Sequence, residues 1–169
     1  MKISKDRIQG IQRELAEMAQ VDEDIMMGKV DLHDDAIDRN SERLEKIIDE
    51  IGWPTRSLLG NVAAAQAWSI ATRNPRPETH RRYLEMMRAS EEMMMEKSYI
   101  AHFEDQTRVC CGQPELYGTG FRMNDEGQYE PFPIESMDRL DERRASMNLG
   151  SYNEFLARIE GLNGASKSV

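Results

Sequence analysis

Residues 44–73 read LEKIIDEIGWPTRSLLGNVAAAQAWSIATR, and this stretch decides the fold class. Leu44, Ile47, Ile48 and Ile51 recur three and four apart, the spacing that lines one face of a helix. Gly52 ends that helix. Trp53-Pro54 cannot continue it, because proline lacks the amide donor and restricts the residue before it. The run Gly52 to Gly60 therefore reads as an ordered loop with glycine at both ends. It is followed by a small-residue helix from Asn61 to about Arg73, with Val62, Ala65, Trp68 and Ser69 along one face. Helix, break, close-packing helix is the grammar of an α-helical protein.

The same grammar extends toward the N-terminus. Ile8, Ile11, Leu15, Met18 and Ile25 predict a helix from about Ser4 to Met27, with Gly28 as its stop. Lys29 to His33 read as a connection, and Asp34 or Asp35 as the cap of the helix carrying Ile37. Toward the C-terminus, Asn74-Pro75-Arg76-Pro77 breaks the chain before a fourth helix running to about Lys97, with Tyr83, Leu84, Met87 and Met94 inward. A fifth, Ser98 to about Val109, presents Tyr99, Ile100 and Phe103, and is closed by Gly112 and Pro114. Leu116 to Met123 reads as a strand, Asn124-Asp125-Glu126-Gly127 as a turn, and Gln128 to Phe132 as the returning strand. Ser136 caps a sixth helix through Met147, and the capping box Ser151-Tyr152-Asn153-Glu154 opens a seventh ending near Gly161. The expectation is a mainly α, compact single domain of about seven helices over residues 1–162, with one small β-hairpin near 116–132 and a frayed tail at 163–169.

Composition narrows the class of molecule. The chain has 169 residues, 39% hydrophobic and 31% charged, enough for one core. With 22 Lys+Arg against 31 Asp+Glu the net charge is −9, so broad electrostatic attraction to nucleic acid or anionic lipid is disfavoured. The N-terminal Met-Lys-Ile-Ser-Lys-Asp-Arg lacks the apolar core of a secretory signal, and the most apolar stretch, Val62 to Ala71, is too short to span a bilayer. The two cysteines, Cys110 and Cys111, are neighbours, a poor geometry for a disulfide, and fit a reducing compartment. A cytoplasmic protein without nucleic-acid or membrane partners is expected.

Several segments carry a resemblance. GWPTRSLLG at 52–60, AAAQAW at 63–68, RRYLEMM at 81–87, ELYGTGF at 115–121, PIES at 133–136 and LDERRA at 140–145 occur in the order seen in a bacterial family, domain of unknown function 6624, which the chain resembles over about two-thirds of its length. The Gly-Trp-Pro-Thr-Arg-Ser-Leu run is the most specific of these. The chain departs from the family pattern at polar positions. Thr72-Arg73 stand where the family has Gln-His, Gln106 stands for Arg after Asp105, Gly120 for Gln after Tyr117-Gly118-Thr119, and His80 for Gln. Packing and turn residues match where polar residues differ, so a reaction site in the family would be lost or rebuilt here. The resemblance implies a fold and a place to look, and names no reaction.

No catalytic signature motif is present, so candidate residues are weighed by their chemistry. The loop before the third helix could offer amides to an anion, with Thr55, Arg56 and Ser57 beside them, but it lacks the glycine–lysine pattern of a nucleotide loop. The alternative is a turn anchored by Trp53 with Arg56 paired to an acid. Arg73, Arg76, His80, Arg81 and Arg82 form a basic patch, suited to an anionic ligand or else paired with the chain's many carboxylates. His102 and Asp105 share a helical face, as a general base and its orienting carboxylate would, and Tyr117 with Gly118 and Thr119 could complete a small polar site. Their bland reading is a solvated histidine and an acid paired elsewhere. Asp31, His33, Asp34, Asp35 and Asp38 lack calcium or zinc spacing, and no metal or other cofactor is expected. Of the 12 methionines, Met87 and Met94 fit a core stripe, while Met86 and Met93 fall on a neighbouring stripe that could face a second copy in a homodimer.

The leading expectation is a binding protein with a cleft for an anionic small molecule or peptide, contacted by Arg56, Arg73 and Arg81 together with Thr55 and Thr119, and walled by Trp53 and Tyr117. The alternatives are a cofactor-independent hydrolase or lyase using His102 or His80 with Asp105 and Arg73, and a structural interaction protein using the methionine face.

Overall fold

The computed structural model describes residues 3–27, 34–90, 92–93 and 96–166. It is mainly α, with seven helices and one two-stranded antiparallel hairpin among the described residues. The chain divides into two compact units, 1–92 and 93–169, where the sequence had offered no linker and a single domain was expected.

The first unit is a bundle of four helices, α1 (Lys5–Met26), α2 (Asp34–Ile51), α3 (Arg56–Thr72) and α4 (Pro77–Ala89). Helix α3 packs against each of the other three. The stripes read from the sequence in α1 and α2 are buried, with Ile11, Leu15, Met18, Leu44, Ile47 and Ile48 almost wholly removed from solvent. Ser4 caps α1, its side chain accepting from the Arg7 amide.

Helix α3 departs from expectation twice. It starts at Arg56, so half of the expected loop is a helical turn, kinked at Gly60 (φ 79°, ψ 165°), a region that only glycine occupies without strain. Gln12 of α1 donates to the Leu59 carbonyl at 2.8 Å, just ahead of the kink. Its buried stripe is Leu59, Ala63, Ala67, Ile70 and Ala71, while Val62 is 72% exposed; the expected face was the wrong one. An alanine-rich helix has little amphipathic contrast, so periodicity could not choose between its faces.

Helix α4 ends at Ala89, because Ser90 takes an extended conformation (ψ 120°). The expected continuous helix to Lys97 is thus broken, and a new one begins after Glu96. Met87 and Met93 are both buried, which removes Met93 from the expected exposed stripe; Met94 lies outside the described residues. The same holds for Gly28 and for most of the acidic segment 31–34.

The second unit contains α5 (Lys97–Cys110), the hairpin β1 (Phe121–Met123) and β2 (Tyr129–Pro131), α6 (Leu140–Ser146) and α7 (Tyr152–Ser166). The strands pair in the register Phe121↔Pro131, Arg122↔Glu130, Met123↔Tyr129, with Asn124 organising the turn by accepting from the Glu126 and Gln128 amides. The first strand is much shorter than expected, because 116–120 is a loop held by side chains. Helix α6 begins at Leu140, after Arg139 in a left-handed conformation (φ 53°), rather than at Ser136. The capping box forms as read, the Ser151 amide donating to Glu154 and the Glu154 amide to Ser151. Helix α7 then runs past Gly161 to Ser166, and Asn163 exchanges two hydrogen bonds with the Tyr129 backbone, at 2.7 and 2.9 Å. That clasp and the contact of α7 with β2 hold the chain at Asn163, while 167–169, the end of the tail expected from 163, lie outside the described residues. No described helix is long and apolar enough to cross a membrane.

Candidate functional site

The loop between α5 and β1 is organised by an acid below it and arginines beside it. Asp105, fully buried on α5, accepts from the Leu116 and Tyr117 amides through Oδ1 (2.7 and 3.0 Å) and from the Thr119 amide and hydroxyl through Oδ2 (3.1 and 2.9 Å). The carbonyls of 116–118 in the same loop are taken by arginines. Arg143 Nε donates to Leu116 (3.1 Å), and Arg144 Nη1 donates to Tyr117 and Gly118 (both 2.7 Å). A segment with no strand partner thereby has its peptide groups satisfied by three charged side chains. Gly118 sits at φ 67° with Ile134 and Tyr152 where a side chain would be, so no other residue fits this turn.

Glu115 is the second buried acid. Its backbone is fixed between Pro133 and Glu135, and its carboxylate accepts from the Gly120 amide at 3.0 Å. Burial, reinforced by the charge of Asp105, raises its pKa to about 7; the Gly120 and Thr119 amides and the Arg144 charge oppose the shift without cancelling it.

Arg144 is the largest fully buried side chain. Its Nε donates to the Gly150 carbonyl at 2.7 Å, and its guanidinium carbon lies 5.7 Å from the Tyr152 ring centre and 5.6 Å from that of Phe155. It forms no ion pair among the described residues, and Nη2 is engaged by none of them. Its charge is met at hydrogen-bond distance by carbonyls and ring faces, and by the carboxylates of Asp141 and Asp105 only through their fields; burial lowers its pKa in spite of them.

Arg144 borders a pocket of about 700 Å³ lying wholly within the second unit. Its polar wall is His102, Thr119, Arg144, Asn148 and Arg158, and its apolar wall includes Phe121, Leu149, Phe155, Ile159 and Leu162. None of the twelve lining residues is acidic, in a chain of net charge −9. Arg158 is exposed, lies over the Phe155 ring at 5.8 Å and makes no ion pair with a described residue. His102 is exposed on the pocket wall, and its pKa is lowered. Desolvation by the surrounding protein is the main cause; Arg144 and Arg158 add to it and Asp105 works against it. It is therefore a neutral imidazole at pH 7.

Of the residues singled out from the sequence, His102, Asp105, Tyr117 and Thr119 fall together here. Their relation is not that of a base and its orienter, because both Asp105 oxygens are spent on the loop and His102 makes no hydrogen bond among the described residues. Arg144, Arg158 and Glu115 were not singled out, although Arg144 and Glu115 lie within two of the resembling segments, LDERRA and ELYGTGF.

Trp53, Thr55, Arg56, Arg73, His80 and Arg81 belong to the first unit. Trp53 is buried, 5.7 Å from the Tyr83 ring. The helix-start groups considered for an anion already hold one of the chain's own carboxylates. The Ser57 amide and hydroxyl donate to Glu92 at 3.0 and 2.5 Å, and Thr55 joins Ser57 at 3.1 Å. Those donors hold the Glu92 pKa down. Arg73 forms an ion pair with the buried Asp22 at 2.9 Å, and Asp22 also accepts from Asn40 of α2. Arg76 pairs with Asp38 and Glu45, and Arg82 with Asp49. Arg56 and Arg81 are exposed. The patch therefore serves largely to join α4 and the end of α3 to α1 and α2. His80 is wholly buried, its Nε2–H donating to the Asn74 carbonyl at 2.7 Å. Burial lowers its pKa against that bond, so it stays neutral and pins the turn into α4. Both cysteines are free thiols, and no group of His, Cys, Asp and Glu arranged to hold a metal occurs among the described residues.

A helical bundle unit followed by a helix–hairpin–helix unit with an acid-stapled loop defines the class of this protein. The chain belongs to the DUF6624 family, a family of unknown function whose model matches residues 8–167. No curated protein and no solved structure matches it.

Proposed function

We propose that this is a cytoplasmic binding protein for an anionic small molecule, held in the pocket of the second unit. The observation that carries the reading is Arg144, a buried guanidinium that forms no ion pair among the described residues, bordering a pocket whose lining holds a second cation and no acid. A ligand carboxylate or phosphate there would add the ion pair that none of the described residues makes with Arg144. Isothermal titration with octanoate at pH 7 is expected to report one saturable site, weakened about tenfold by Arg158→Ala, which removes an exposed cation without touching the loop. Affinity unchanged by that substitution would sink the reading. Native mass spectrometry of the freshly purified chain, compared with its denatured mass, would identify a ligand carried through purification.

One observation favours an enzyme of hydrolase or lyase type as a second reading. His102, neutral at pH 7, shares the pocket with Arg144, so a free base faces a cation able to steady a developing negative charge. On that reading His102→Ala keeps octanoate binding and abolishes release of 4-nitrophenol from 4-nitrophenyl octanoate. Equal release by variant and parent would end it.

A further inference from the structure

The pocket's walls say more about the ligand than its charge. On the cation side Arg144 and Arg158 stand close enough that each depresses the protonation of His102. Away from them the surface is hydrocarbon: Phe155 and Ile159 are buried, and Phe121 and Leu162 are 42% and 43% exposed. Phe121 comes from β1 and Leu162 from α7, elements far apart in sequence that place apolar groups on one pocket. A pocket for a compact polar anion such as inorganic phosphate would be lined by donors throughout and would have no use for exposed phenyl and isobutyl groups.

Resting on the proposed anion site, we infer that the ligand is an amphiphilic monoanion: a carboxylate head at Arg144 and Arg158, with a hydrocarbon body along Phe155 and Ile159 reaching Phe121 and Leu162. The cavity, about 700 Å³, accommodates a body of this kind. Each methylene moved from water onto this wall adds to affinity, so chain length becomes the readout.

The test is calorimetric titration of the whole chain with butyrate, hexanoate, octanoate and decanoate, beside the 1-alkanols of the same lengths. Affinity is expected to rise by up to about fourfold for each added methylene, and each alkanol to bind at least about tenfold more weakly than its carboxylate. Leu162→Ser, at an exposed position of α7, is expected to flatten the step from octanoate to decanoate and leave butyrate unchanged. Carboxylates that bind equally at every length would overturn the amphiphile inference and leave the anion site standing. Alkanols that match their carboxylates would overturn the anion site and the head-group assignment with it. Failure of every probe to bind would overturn both.

Discussion

Asp105→Ala is expected to destabilise the second unit by about 3–5 kcal/mol, the largest effect of any single substitution in the site. One side chain accepts four hydrogen bonds from three residues, at distances between 2.7 and 3.1 Å, with the carboxylate fully buried. Alanine leaves the Leu116, Tyr117 and Thr119 donors facing protein instead of an acceptor, and water cannot reach the Asp105 position without opening the loop. The damage should spread in a definite direction. Once the amides are released the Tyr117 and Gly118 carbonyls shift, and those carbonyls hold Arg144 Nη1. Asp105→Asn keeps one acceptor oxygen but turns a donor toward the Thr119 or Tyr117 amide, so it should fall between parent and alanine variant. Hydrogen exchange followed by mass spectrometry gives the local reading. Amides of 116–119 should lose protection in Asp105→Ala while the core amides of α1 and α2 keep theirs. Equal exchange in parent and variant would show that the loop holds itself.

How much of this was legible beforehand depends on what signal each element carries. Helices α1 and α2 advertise one apolar stripe against charged faces, so Ile11, Leu15, Leu44 and Ile48 were placed by spacing alone. The break at Ser90 had no such signal. The segment around it, EMMRASEEMMMEK, holds good helix formers and neither proline nor glycine, and only the extended serine ends α4. Gly60 misled in the opposite sense. A glycine that usually closes a loop here kinks a helix already under way.

The site divides along the same line. Asp105 stands out by its spacing from His102 on one helical face, and Tyr117 and Thr119 as polar residues flanking the Gly118 turn. Arg144 was missed because LDERRA reads as the solvated face of a short helix, with acids in its first turn and arginines in its last. Periodicity assumes that charge marks the outside. Arg144 breaks the assumption through contacts with Tyr117, Gly118, Gly150 and Phe155, none of which is its neighbour in sequence. The basic patch failed for a related reason. Charge in excess catches the eye, yet the α2 carboxylates that pair with Arg76 and Arg82 sit more than thirty residues away.

Glu115→Gln is expected to remove a pH dependence of about 3 kcal/mol from folding stability. The Glu115 pKa rises from 4.5 to about 7 on folding, chiefly through burial and then through the charge of Asp105. Between those values the folded chain keeps a proton that the unfolded chain has released. The stabilisation is therefore fully present below about pH 4.5 and is lost as pH rises through about 7, the reverse of the usual salt-bridged carboxylate. Glutamine has no proton to lose, so the difference in stability between variant and parent should grow in favour of the variant from pH 5 to pH 8. Urea titrations of both chains at matched pH measure that difference, and the other titrating groups cancel in it. The same proton bears on the pocket. Once ionised, Glu115 places a negative charge within the field of Arg144, whose own pKa is lowered by burial. Octanoate affinity should therefore weaken as pH rises through 7 in the parent and weaken less in Glu115→Gln. Parallel stability curves for the two chains would mean that folding leaves the Glu115 pKa unchanged, with the Gly120 and Thr119 amides and the Arg144 charge cancelling the effect of burial.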